Sequence, residues 1–177
     1  SSGTPSKAIS IDEVEIQNFT RFSTKDSELD LVLGGGVVEG SLVLIGGSPG
    51  IGKSTLLLKI GSNLPKEGKK TLYVSGEASQ SQIKMRADRL NAVDKNLYLL
   101  TEICLEDILL EVQKSDYKVL VIDSIQTLYS QNIASAPGSI TQVREITFEL
   151  MRLAKSQNIC VFIIGHITKE GSIAGPR

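Results

Sequence analysis

The stretch Gly47-Ser48-Pro49-Gly50-Ile51-Gly52-Lys53-Ser54 does most to limit how this chain can fold. It spells G-x-x-x-x-G-K-S, a loop whose glycines let successive backbone N–H groups curl around an anion. Before it, Ser41-Leu42-Val43-Leu44-Ile45-Gly46 is a short apolar run suited to a buried strand. After it, Thr55-Leu56-Leu57-Leu58-Lys59-Ile60 is rich in helix formers. Strand, loop and helix in that order are the setting in which the motif binds phosphate, because the new helix turns its positive end toward the same anion. Lys53 is spaced to reach β- and γ-phosphates, and the Ser54 hydroxyl to ligate Mg²⁺. Gly47, Ser48, Pro49, Gly50, Ile51, Gly52, Lys53, Ser54 and Thr55 are therefore the candidate binding residues for ATP or ADP with Mg²⁺. A dinucleotide fingerprint fails, since Gly50-x-Gly52 is followed by Thr55 where a third glycine is required.

At 177 residues the chain suits one α/β domain and is short for two. A net charge of −1 announces no large basic face, so charge gives no support for nucleic-acid binding. Cys104 and Cys160 lie far apart in no metal spacing and read as core thiols of a reduced, cytoplasmic chain. No apolar run approaches a membrane span, and the polar N-terminus is no signal peptide. Residues 1–10 read as an expression remnant or disordered lead-in, and 11–177 as the domain itself.

Beyond the loop, strands and helices alternate. Ser27 to Leu33 suits a short helix stopped by Gly34-Gly35-Gly36. Thr71–Ser75, Leu97–Leu100, Lys118–Asp123 and Ile159–Gly165 are apolar runs of strand length. Ser79-x-x-Gln82 and Ser139-x-x-Gln142 both have the form of a capping box opening a helix. Ile83, Ala87 and Leu90 mark the buried side of the first. Leu105, Ile108, Leu109 and Val112 mark another helix, and Val143, Ile146, Leu150 and Leu153 the last. The alternation predicts a mostly parallel, twisted sheet flanked by helices on both faces. Ligands bind such sheets at the carboxyl ends of the strands.

Four strand ends carry polar groups there: the loop at Gly47, then Glu77, Asp123 and His166. An apolar strand ending in Asp123 fits a Mg²⁺-shell carboxylate. Ser124 follows it, so the catalytic base is not adjacent, and Glu77 is the natural base for the attacking water. If the second and third strands flank the strand entering Gly47, both carboxylates face the γ-phosphate. His166, the chain's one histidine, closes the last strand and is placed to sense the γ-phosphate, although a hydrogen-bonded structural histidine fits the position too. Lys169, Arg177 and more weakly Arg144 are candidate contacts for DNA phosphates.

Together these segments resemble the bacterial RadA (Sms) family of DNA-repair proteins, whose core is of the RecA type shared with KaiC. The likeness is carried by Leu29-Asp30-x-Val32-Leu33-Gly34-Gly35-Gly36, by Gly46 to Leu58, and by Tyr73-Val74-Ser75-Gly76-Glu77. Val121-Ile122-Asp123-Ser124-Ile125-Gln126-Thr127 and the run from Gly165 to Arg177 complete it, so that it covers the chain from about Arg21 onward. The resemblance implies a hexameric, DNA-dependent ATPase and helicase that drives branch migration with a RecA-type recombinase, touching DNA through the loops after Asp123 and His166. It also carries the roles of Glu77, Asp123 and His166 to matching positions. Three departures stand out. Ala78 replaces a second glutamate; no four-cysteine zinc motif or Lon-protease-like domain flanks the core; and the family's K-N-R-F-G segment, which supplies an arginine finger, is absent. The chain thus reads as an ATPase core expected to be a monomer or weak oligomer alone. Two other readings are a nucleotide-gated binding module with little turnover and a small-molecule kinase. The kinase would need an arginine-rich lid and an acceptor pocket, neither of which is visible.

Overall fold

The computed structural model describes residues 6–16, 21–24, 27–47, 58, 60, 61, 63, 64 and 68–166. Within them a short antiparallel pair, β1 (Arg21–Phe22) and β2 (Val37–Val38), brackets helix α1 (Ser27–Val32). The glycines that follow α1 stop it as expected, Gly34, Gly35 and Gly36 taking φ values of 75, 112 and 126° that a side chain disfavours. Arg21 Nη1 straps the turn by donating to the carbonyls of Leu33 and Gly36 at 2.9 and 3.2 Å.

The expected apolar runs become β3 (Leu42–Gly47), β4 (Thr71–Ser75), β5 (Leu97–Leu100), β6 (Val119–Asp123) and β7 (Cys160–His166). They form one five-stranded sheet in the order β3-β7-β6-β4-β5, with every pairing parallel. Both faces are covered, which is why the strands read as unbroken apolar runs rather than alternating ones. On one face Leu72, Val74, Leu120, Ile122, Val161 and Ile163 pack with α3 (Leu105–Gln113) and α4 (Ile140–Gln157). On the other, Tyr73, Val119, Val121, Cys160, Phe162 and Ile164 pack with Leu58, Ile60 and Leu64 and with Ile83 and Ala87 of α2 (Gln80–Arg89). Leu58, Ile60, Gly61, Asn63 and Leu64 are helical, in agreement with the helix expected after the P-loop, whereas Ser48 to Leu57 lie outside the described residues. Cys104 and Cys160 are buried thiols with no disulfide.

The strand order does not meet the condition that the second and third strands flank the strand entering Gly47. β4 and β6 do not flank β3: β7 pairs with β3, β6 lies beyond it, and β4 is third. The chain leaves β3, skips two places to lay down β4, and fills the gap later with β6 and β7. Strands buried on both faces carry no mark of which neighbour they will take, so the order was not readable from their composition.

Two helix starts with the same sequence form behave differently. At α2 the capping box is complete: the Ser79 side chain accepts from Gln82 N–H while the Gln82 side chain accepts from Ser79 N–H. At α4 the Ser139 side chain accepts from Gln142 N–H, but the Gln142 side chain turns away from the helix start. Buried to 1% exposure, it accepts from Ser130 N–H at 3.1 Å and donates to the carbonyls of Ile133 and Ser135 at 3.1 and 2.9 Å. Pinning the loop between β6 and α4 outcompetes closing the box, because those loop groups have no helix or sheet to satisfy them. Gln142→Leu keeps volume but strips all three bonds, and should cost about 1–3 kcal/mol for each polar group left dry. Urea unfolding measures it; an unchanged midpoint would mean that water replaces the amide.

Candidate nucleotide site

Register sets the geometry of the sheet's carboxyl edge. Gly47 at the end of β3 stands opposite His166 at the end of β7, and Asp123 at the end of β6 stands opposite Ser75 at the end of β4. The Ile122–Ile163 pairing joins the two halves. The strand entering the P-loop, the strand of the histidine, the strand of the aspartate and the strand feeding Glu77 thus finish at one rim. Lys53, Ser54 and the rest of the loop from Ser48 to Thr55 lie outside the described residues, as do Lys169 and Arg177. Arg144 is exposed near the start of α4.

Glu77 sits in an exposed turn whose backbone is fixed from two sides. Gly76 N–H donates to the Asp123 carbonyl at 3.3 Å, and Ala78 N–H donates to Ser75 Oγ at 3.1 Å. The base candidate is therefore tied by backbone bonds to the strand of the metal-ligand candidate. After Asp123, which joins Ser124 through a cis peptide bond, the chain makes a 3-10 turn at Ile125–Thr127. Thr127 Oγ1 donates to the Ser124 carbonyl at 2.7 Å. The same threonine presses on Gly76: a Cβ there would lie 2.7 Å from Thr127 Cβ and 3.0 Å from Ile103 Cγ2. Only glycine fits between.

Asp123 is half-buried on the face that carries Val119 and Val121, the face covered by the helix following the P-loop. Its Oδ2 accepts a hydrogen bond from Tyr73 Oη at 2.7 Å. Burial pushes the Tyr73 phenol well above its ordinary pKa. The charge of Asp123 and the hydrogen bond to it push the same way, and Arg86 on α2 opposes them. The phenol therefore stays a donor across physiological pH.

Asp123 keeps a second oxygen outside that bond. A hard carboxylate oxygen at the rim where the strand leading to Gly47 ends suits Mg²⁺, which takes one or two protein carboxylates and completes its shell with phosphate oxygens and water. Among the described residues no group of three His, Cys, Asp or Glu side chains gathers as a denser metal cage.

The loop beyond the 3-10 turn is anchored as well. Glu106 on α3 accepts from Ser130 Oγ at 2.9 Å and from Gln131 N–H, while Leu105 N–H donates to the Tyr129 carbonyl at 2.8 Å. Sequence reasoning gave Tyr73, Gly76 and Glu106 no individual role and took Gln142 for a capping residue. Tyr73 carried a signal, since a tyrosine inside a fully buried strand needs a partner for its hydroxyl. The other three show only when distant segments are brought together.

Comparison with known proteins agrees with this architecture. The chain is 73% identical over 172 residues to DNA repair protein RadA of Campylobacter jejuni subsp. jejuni serotype O:2, covering 97% of this chain and 39% of that protein. It is 63% identical over 171 residues to DNA repair protein RadA of Helicobacter pylori strain J99, covering 97% and 38%. With the protein of the same name from Listeria monocytogenes serovar 1/2a it shares 53% identity over 177 residues, covering 99% and 38%. The chain thus spans about two fifths of the length of the curated relatives it matches. No helix among the described residues is long and apolar enough to cross a membrane. Residues 10–172 match the family model described as AAA domain, and with nearly all of its length accounted for in this way the chain belongs to that family.

Proposed function

We propose that this chain is the ATP-hydrolysing motor domain of a DNA repair and recombination protein. The observation that carries the reading is the shared rim at which Gly47, His166, Asp123 and the Glu77 turn end together. Backbone N–H groups from Gly47 to Thr55 and the Lys53 ammonium cradle the phosphates. Ser54 and Asp123 are the residues that would hold Mg²⁺, which when bound neutralises charge on the β- and γ-phosphate oxygens. Glu77 takes a proton from water as the water oxygen bonds to the γ-phosphorus and the bond to the ADP oxygen breaks. His166, on the strand between the P-loop strand and Asp123, reads the γ-phosphate and passes its presence to the loop that follows. In the whole protein, by resemblance, six copies form a ring on single-stranded or branched DNA and drive branch migration alongside a RecA-type recombinase. The loops after Asp123 and His166 meet the DNA.

Phosphate release by residues 1–177, with and without single-stranded DNA, tests this beside the same measurement on the whole protein. The domain alone should turn over slowly as a monomer or weak oligomer and respond little to DNA, because the resemblance places the arginine finger in a neighbouring subunit. The whole protein should show both ring formation and DNA stimulation. Fast turnover by the isolated monomer would remove the trans-acting finger from the reading. A whole protein that binds ATP without hydrolysing it would favour the nucleotide-gated binding module.

A further inference from the structure

We propose that Tyr73 is a positioning residue for Asp123, its phenol holding one carboxylate oxygen so that the other is presented to Mg²⁺. The proposal rests on the reading of Asp123 as a Mg²⁺ ligand given above. Three observations support it. First, the register places Tyr73 on the adjacent strand two residues before Ser75, which stands opposite Asp123. Tyr73 and Asp123 are therefore diagonal neighbours on one face, a gap that a long aromatic side chain spans and a short one does not. Second, Tyr73 is 2% exposed, and its hydroxyl reaches Asp123 Oδ2 at 2.7 Å, a charge-assisted bond that water has little room to replace. Third, the ring is held from above by the helix that follows the P-loop. Tyr73 shares a buried cluster with Leu58, Ile60 and Leu64 of that helix, which packs the ring on the side away from the sheet. One side chain thus spans the P-loop helix, β4 and the carboxylate on β6. Groups of this kind, hydrogen-bonded to a metal ligand, set the ligand's orientation, and their loss typically weakens metal binding or activity by about 10–100-fold.

Tyr73→Phe in the whole protein tests the proposal, since it removes the hydroxyl and keeps the ring. Three quantities are measured beside the parent: thermal unfolding without nucleotide, ATP affinity in excess EDTA, and the Mg²⁺ concentration that half-saturates ATP hydrolysis. Unfolding and Mg²⁺-free affinity should hardly move, while the half-saturating Mg²⁺ concentration should rise about 10-fold. A merely structural tyrosine would shift the first two and leave the Mg²⁺ requirement alone, which overturns the proposal. Asp123→Asn is the companion measurement. If it also leaves the Mg²⁺ requirement unchanged, the assignment of Asp123 itself fails; if it alone raises that requirement, only the role of Tyr73 fails. On the unsubstituted protein, ring-carbon NMR of ¹³C-labelled tyrosine gives an independent readout. The Tyr73 signal should move when Mg²⁺ is added to the nucleotide-bound protein and stay put with Ca²⁺-free, Mg²⁺-free nucleotide; no movement in either case overturns the proposal.

Discussion

Replacing Glu77 by Gln is expected to leave Mg-ATP bound and to slow its hydrolysis by ~10²-fold or more, about 2.7 kcal/mol in the barrier. The substitution keeps size and hydrogen-bonding capacity but cannot accept a proton. Its structural cost should be small, because the Glu77 side chain is exposed and the turn is held by the backbone of Gly76 and by Ser75 rather than by the carboxylate. Single-turnover hydrolysis read beside equilibrium nucleotide binding separates the two effects. Normal turnover, or a loss of affinity in place of a loss of rate, would remove Glu77 from the role of base. The distance across the sheet makes this a demanding test: β4 lies third from β3, so on this reading the carboxylate acts across the ends of β7 and β6.

Lys53→Ala should be at least as damaging, for a different reason. On the proposed reading the Lys53 ammonium faces the β- and γ-phosphates, and charge accumulating there in the transition state is stabilised by groups already in place. Removing one such donor typically costs about 10²–10³ in rate. Here nucleotide affinity should fall along with turnover, in contrast to Glu77→Gln, so the pair of variants divides binding from chemistry. Unchanged hydrolysis by the Lys53 variant would sink the P-loop assignment.

What the chain disclosed in advance was what local chemistry decides. The strand ending at Gly47, the helix stopped by Gly34 to Gly36 and the capping box of Ser79 and Gln82 depend on residues a few places apart, and each is present. Asp123 and His166 were recognisable as polar residues closing apolar runs, and the structure puts both at strand ends on the same rim. The strand order was hidden, because β3, β4, β6 and β7 are equally apolar and nothing in them names a neighbour. Gln142 was misread for a related reason. Its spacing from Ser139 is that of a cap, and the stronger claim on its amide comes from Ser130, Ile133 and Ser135, which reach it only once the loop has folded back. Tyr73 passed for core until the register set it beside a carboxylate.

The contact between Gly76 and Thr127 bears on how many independent coordinates this site possesses. Two loops that merely lie side by side can each relax without the other; these two leave no room for even a methyl group between Gly76 and Thr127, and a backbone bond from Gly76 to Asp123 ties the turn to the end of β6. The turn bearing Glu77 and the start of the segment leading to the proposed DNA-facing loop therefore behave mechanically as one part. Whatever displaces Thr127 by a few tenths of an ångström also displaces Gly76, and with it the aim of the carboxylate one residue later. A close-packed joint of this sort transmits small motions without a lever or a hinge, because it stores no slack in which they are lost.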